Sequence, residues 1–353
     1  VEKVGRGSAL PLVVGLAAAA GIGVAGIGAL WAATAAVALV PAAWAMHRLV
    51  RRALTDGDGP VPSSTPWRTT ARDYWAYTAP RAVGQVSEVA VTWLDTVVVG
   101  ALVSTAAAGV YAAGTRFLLP GLFIGEALMQ VSAPVVSGLM VARRDVEATH
   151  LVQVVAAWGS LLVWPVYLLV GVFAPVLLRV FGPDVVAATG ALRALSVALL
   201  VAAVIGPSHS VVLMSGRSRQ AMFNTVVLLV VNLGANLWLV PRYGITAAGV
   251  AWAATIVVGA ALPAWQADRG LGVRTVGAGA LRIAACATVT VGTAACLAAV
   301  LLGTSRTALA VAAAAGTALF VPAVIRFGGL ETAALFVGAG RSTSAPDGAG
   351  GSQ

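Results

Sequence analysis

The chain has 353 residues, of which 59% are hydrophobic and 10% charged, with a formal net charge of +9. A soluble domain carries about 25% charged residues, so this chain is too poor in charge to cover a water-facing globule, and its hydrophobicity excludes intrinsic disorder. The positive charge does not point to nucleic acid, because the basic residues are scattered between apolar runs with no stripe and no interleaved aromatics.

Ten apolar segments follow in chain order, each at or near the roughly 20 residues that a membrane-spanning helix requires. They are 8–22, 27–47, 82–103, 109–139, 151–179, 187–214, 220–240, 245–266, 280–302 and 306–326. The first is short, and the fourth to sixth are long enough to tilt or to project beyond the bilayer. Continuous runs of this length exclude β-barrel strands, which alternate over about ten residues. The expected fold class is therefore an all-α integral membrane protein. Between the second and third segments, residues 51–76 hold DGDGPVPSSTP and read as a polar linker, and 338–353 (GAGRSTSAPDGAGGSQ) read as a disordered tail. Cys286 and Cys296 lie about 15 Å apart along one expected helix, beyond the roughly 7 Å Cα separation that a disulfide allows.

The basic residues sort by side. With residue 1 cytoplasmic and ten spans, seventeen of the 22 Lys and Arg fall on the cytoplasmic side, and three (Arg179, Arg242, Arg306) fall opposite. Arg116 and Arg193 lie within or near spans. This asymmetry satisfies the positive-inside rule and predicts both termini in the cytoplasm. A repeat fits the same topology: GALWAAT at 28–34 returns as GVAWAAT at 249–255. At that offset Gly23 pairs with Gly244, Trp31 with Trp252, Thr34 with Thr255 and Trp44 with Trp265, without a gap. Both copies enter the membrane in the same direction, which predicts a parallel repeat about an axis along the membrane normal.

Polar residues inside the spans form stripes. On the third segment Arg81, Gln85, Glu88, Thr92 and Asp95 fall within about 80° of one helical face. On the fourth, Arg116, Phe123, Glu126, Gln130 and Ser137 share a face. Ionisable groups in a membrane face a bundle interior or a wet cavity, so the two stripes are expected to line a central polar cavity. The alternative is structural: Glu88 or Asp95 pairs with Arg116 only to neutralise charge. Arg81 is expected to snorkel to the interface, Arg193 to anchor, and His209 to pack. Asn224, Asn232 and Asn236 either bond neighbouring helices or line the cavity.

The stretch WLDTVVVGALVSTAAAGVYAAGTRF (93–117) resembles the start of the second half of bacterial polysaccharide-repeat flippases, the O-antigen and teichoic-acid exporters of the multidrug/oligosaccharidyl-lipid/polysaccharide superfamily. The resemblance continues through APVVSGL (133–139), VFGPDVVAATGALRALS (180–196), LMSGRSR (213–219) and NLWLVPRYGITAAGVAWAAT (236–255). It implies a two-lobed parallel-repeat transporter. Residues 1–50 would be the last two helices of the first lobe, 51–76 a cytoplasmic linker, 77–267 the six-helix second lobe and 268–337 two extra helices. It also implies that four helices of the first lobe are missing from this sequence.

Enzymatic readings find little support. The expected outer loops carry Asp184 as their one acid, no GxxxxGK[ST] loop occurs, and the single Lys is Lys3. Three His and two Cys are scattered, so neither a metal nor a cofactor is expected. The reading is a secondary transporter in the bacterial plasma membrane that flips a polyprenyl-pyrophosphate-linked oligosaccharide to the outer leaflet by alternating access. Arg116 heads the substrate-binding candidates, with Arg81, Gln85, Gln130, Asn232 and Asn236, because a guanidinium binds phosphate through a planar fork. Asp95, Glu88 and Glu126 are the candidates for ion coupling. Expected partners are the lipid-linked sugar, membrane lipid, a polysaccharide polymerase and glycosyltransferases. The alternatives are a multidrug or organic-cation antiporter of the same superfamily, or a non-transporting membrane scaffold or fragment.

Overall fold

The computed structural model describes residues 67–328 throughout and isolated residues between 21 and 52; the side chains at 67, 70, 77, 80, 81, 85 and 88 are outside the described set. Nearly all of the expected span 8–22 and most of 27–47, the linker residues 53–66 and the tail 338–353 lie outside the described residues. So does Trp31, the centre of the first repeat copy. The chain divides into two compact units, Val1–Arg72 and Asp73–Gln353.

Among the described residues the regular structure is helical throughout. Helix α1 is Trp67–Leu102, and thus begins ten residues inside the stretch read as a linker. Helix α2 (Thr105–Thr115) passes through a 3₁₀ turn at Arg116–Leu118 into α3 (Leu119–Val141). Helix α4 (Asp145–Leu178) and α5 (Thr189–Ile205) follow, then the short α6 (Ser208–Met214) and the long α7 (Ser218–Leu271). Helices α8 (Ala278–Ala287) and α9 (Thr293–Leu302) are joined by a π turn, Thr288–Gly292, and α10 is Arg306–Phe327. Seven helical segments of the described residues are long and apolar enough to cross a membrane.

Seven segments hold eight of the expected spans, because α7 contains two. At 1.5 Å per residue its 54 residues would extend about 81 Å, against a hydrocarbon core of about 30 Å. The helix folds back instead. Gly244, at φ 61° and ψ −142°, interrupts it in a region closed to other residues. Asn224 and Gln266 exchange two side-chain hydrogen bonds of 2.7 Å. A Cβ on Gly259 would sit 3.1 Å from Leu228, and Arg217 donates to the Gly270 carbonyl at 2.7 Å. Each pair is centred within one residue of Gly244, which defines an antiparallel hairpin.

The expected span 187–214 needs correction at its end. Helix α5 stops at Ile205, where Gly206 takes φ 76° and ψ −164°. A Cβ there would come within 2.7 Å of Ala156. Close packing against α4 and a positive φ together require glycine, and α6 restarts as a separate turn.

Helix α4 is the hub. One apolar cluster packs its residues Val163, Tyr167 and Leu178 against Leu118 and against Leu192 and Leu195 of α5. Two further clusters join α4 to the α8–α10 group through Ile283, Val291, Phe320 and Ala295, Ala308, Ala312. Small residues every four along α10 permit this approach; a Cβ on Gly316 would lie 3.1 Å from the Val291 backbone.

Two of the proline breaks in these helices are answered by side chains. Pro120 has no N–H to offer the preceding turn, and the Tyr167 hydroxyl serves the gap. It donates to Phe117 O (3.0 Å) and Leu118 O (2.9 Å) and accepts from Gly121 N–H at 2.8 Å. A Cβ on Gly121 would lie 2.5 Å from the Tyr167 ring, so this close stacking needs glycine. Pro175 likewise leaves the Gly171 carbonyl without its helical donor, and Arg193 Nε supplies one at 3.1 Å. Arg193, expected to be an interfacial anchor, thus also repairs a helix.

The topology gathers basic residues at one end. Arg143 and Arg144 follow α3, Arg217 and Arg219 start α7, Arg269 and Arg274 end it, and Arg282 and Arg326 lie on the near ends of α8 and α10. Arg179, Arg242 and Arg306 mark the opposite end. Guanidinium groups lie over Trp rings four residues earlier at Trp44/Arg48 and Trp265/Arg269 (5.2 Å each) and at Trp238/Arg242 (5.1 Å). The rings are exposed, as in the aromatic belts of membrane interfaces. The first two pairs are separated by the same 221-residue offset as the sequence repeat. The superposition of residues 8–47 on 229–268 falls on residues outside the described set.

Candidate functional site

The α1–α2 hairpin creates a buried polar site. Its turn lies at Val103–Ser104, where the Ser104 hydroxyl caps α2 by accepting from Ala107 N–H at 3.0 Å. Residues equidistant from this turn face each other, and Asp95 and Tyr111 are such a pair, centred on residue 103. The Tyr111 hydroxyl donates to Asp95 Oδ2 at 3.3 Å. The first half of α7 closes the site: Asn236 Nδ2 donates to Asp95 Oδ1 at 2.6 Å and also lies 2.9 Å from Asn232 O and 3.2 Å from Asn232 Oδ1. Asp95 and Tyr111 are 1% exposed, Asn232 and Asn236 0%. Val98, Val99, Val240, Ala247 and Ala248 surround them. Asp95 lies seven residues before the end of α1, about 10 Å along the axis, and so inside the apolar layer.

Here a carboxylate meets only neutral donors. Burying a charge in an apolar interior is costly unless it is compensated. Two polar atoms beside it, Asn232 Nδ2 and Asn236 Oδ1, have no hydrogen-bond partner among the described residues. Exchanging the Asn236 amide O and N would set oxygen against a carboxylate oxygen at 2.6 Å, so an ionised Asp95 dictates the present assignment. A proton or a hard cation on Asp95 removes that preference and would let an asparagine oxygen turn inward. The cluster is thus an oxygen-rich group whose hydrogen-bond arrangement depends on what neutralises one acid.

Other sequence candidates lie elsewhere. Arg116 sits exposed in the 3₁₀ turn, and Glu126 and Gln130 are exposed on α3, with Gln130 Nε2 donating to Glu126 Oε1 at 2.9 Å. Among the described residues Asp95 is bonded to Tyr111 and Asn236 rather than to Arg116, so the neutralising pair Asp95–Arg116 is corrected. The single polar stripe on α1 is corrected too: Thr92 is exposed while Asp95 turns into the bundle. Neutral donors on α2 and α7 draw Asp95 inward, away from that face. Arg81, Gln85 and Glu88 fall on α1, but their side chains are outside the described set. Asn224 is fully paired with Gln266 and works as a hairpin clamp.

Residues 11–184 match the family model described as polysaccharide biosynthesis protein. Over this stretch, just under half of its length, the chain is similar to that family. The matched stretch includes Asp95, Tyr111, Arg116, Glu126 and Gln130. Among curated proteins, none matches the chain. Among the described residues several helices are long and apolar enough to cross a membrane, and the family similarity supports a role in polysaccharide synthesis or export. Tyr111 is the site residue that the sequence reading missed. Its signal was present as symmetry: a tyrosine as far after the Ser104 turn as the aspartate lies before it.

Proposed function

We propose that the protein is a secondary transporter that flips a polyprenyl-pyrophosphate-linked oligosaccharide across the bacterial plasma membrane by alternating access. The observation that carries this reading is the buried Asp95–Tyr111–Asn232–Asn236 cluster. A static scaffold has little use for an acid in the apolar layer with two unpartnered amide atoms beside it. Loading Asp95 with a proton or a cation changes the charge and hydrogen bonding where α1, α2 and α7 meet, and so biases how these helices pack. Such a bias is what couples an ion gradient to a conformational cycle. Glu126 and Glu88 remain secondary coupling candidates. Arg116, exposed on the α2–α3 face with Gln130 and Glu126 farther along, is the candidate contact for the pyrophosphate. No covalent chemistry is assigned to the chain, and no cofactor. The basic end of the bundle supports placing that end in the cytoplasm.

The test uses proteoliposomes containing the protein and a fluorescent polyprenyl-pyrophosphate oligosaccharide, with flipping read by quenching in the outer leaflet. Wild-type flipping should accelerate under an imposed proton or sodium gradient. Asp95→Asn should retain gradient-independent flipping and lose the acceleration. Equal acceleration in Asp95→Asn would reject the coupling role, and absence of flipping by the wild type under every gradient would reject the transporter reading.

A further inference from the structure

We propose that the cavity between α4 and α8 at the basic end of the bundle is a binding site for an anionic glycerophospholipid. Its volume is about 210 Å³. His150 and Arg282 stand at its mouth, Trp158 lies farther along, and Ala157, Leu161 and Ile283 make its apolar wall. Among the described residues no carboxylate lines it. Both side chains are exposed, and among the described residues neither makes an ion pair or a side-chain hydrogen bond.

The arrangement is graded along the membrane normal. His150 is in the second turn of α4, Trp158 lies about 12 Å deeper along that helix, and Leu161 about 16 Å deeper. Arg282 is on the second turn of α8, whose first turn begins at Gly277 without a side-chain cap. Ala278 and Gly279 line the cavity, so backbone N–H groups of that turn add to the positive field at the mouth. Positive charge at the interface and, about 12 Å deeper, an indole and an aliphatic wall match a lipid's phosphodiester and its acyl chain in that order. A free phosphate would use only the mouth and leave the Trp158–Leu161 depth without a role. The site is separate from the Asp95 cluster, and the proposal does not depend on the transport reading.

The experiment reconstitutes the full chain in nanodiscs of phosphatidylcholine alone or of phosphatidylcholine mixed with phosphatidylglycerol, and follows thermal unfolding. Phosphatidylglycerol should raise the Tm of the wild type. The double variant His150→Ala/Arg282→Ala should lose more than half of that shift, Arg282→Lys should keep most of it, and Arg306→Ala at the opposite end should keep all of it. Native mass spectrometry should find one fewer retained phosphatidylglycerol in the double variant. An undiminished shift in the double variant overturns the proposal. So does an equal shift from inorganic phosphate in detergent without lipid, which would make this a free-anion site. A shift that appears only when the chain is ended after Gly328 overturns it too, assigning the cavity to the protein's own C-terminal residues.

Discussion

Asp95 and Arg116 show how far burial can separate two charges that share a short stretch of sequence. Asp95 is sealed behind Val98, Val99 and Val240 and satisfied by neutral donors, while Arg116 stands exposed in a 3₁₀ turn. An arginine that neutralised a buried acid could not be removed without stranding that acid, at about 3–5 kcal/mol. Arg116→Ala should therefore leave the melting temperature in detergent nearly unchanged. If Arg116 grips a pyrophosphate, Arg116→Lys should keep the fold and lose most flipping, because an ammonium lacks the bidentate fork. Equal flipping by Arg116→Lys and wild type would remove the phosphate role, and a large loss of stability in Arg116→Ala would restore the structural one.

Two proline breaks in these helices are answered by side chains. Pro175 frees the Gly171 carbonyl, and Arg193 of α5 donates to it at 3.1 Å across the α4–α5 interface. Arg193→Ala should cost about 1 kcal/mol, the usual worth of such a bond. Pro175→Ala restores the helical N–H, so in that background Arg193→Ala should cost much less. A double-mutant cycle of thermal stability reads the difference directly. Additive effects of the two substitutions would show that Arg193 acts elsewhere than at this carbonyl. How much of each element was legible follows from the same physics. Helix lengths followed from runs of apolar residues, but the fold-back at Gly244 and the stop at Gly206 depended on φ angles that neighbouring packing imposes.

At the scale of the molecule, α4 is a central post, with the α7 hairpin packed through α5 on one side and the α8–α10 group on the other. Arginines collect at one end of this bundle and are sparse at the other. The turn at Ser215 lies at the basic end and the turn at Ser305 at the sparse end. In a background with Cys286 and Cys296 replaced by Ala, Ser305→Cys should react with a membrane-impermeant maleimide in intact cells. Ser215→Cys should react only after permeabilisation. The reverse pattern would invert the proposed orientation, and labelling of both in intact cells would break the topology.

The sequence by itself determined the helical class and the membrane as solvent, and it carries the expectation of sidedness. These depend on totals and periods: 59% hydrophobic residues, runs near bilayer length, and arginines concentrated in alternate loops. It also offered Asp95, Asn232 and Asn236 as polar intruders, since any such residue within a span is conspicuous. Only the tertiary structure decided which intruders meet. Asp95 and Asn236 are 141 positions apart and come within 2.6 Å because α7 packs against the α1–α2 hairpin. Helical periodicity fixes the angle between residues on one helix but leaves that helix free to rotate about its axis. That rotation turned Asp95 inward, left Thr92 exposed and kept Arg116 at the surface, and it is set by the neighbours each helix finds.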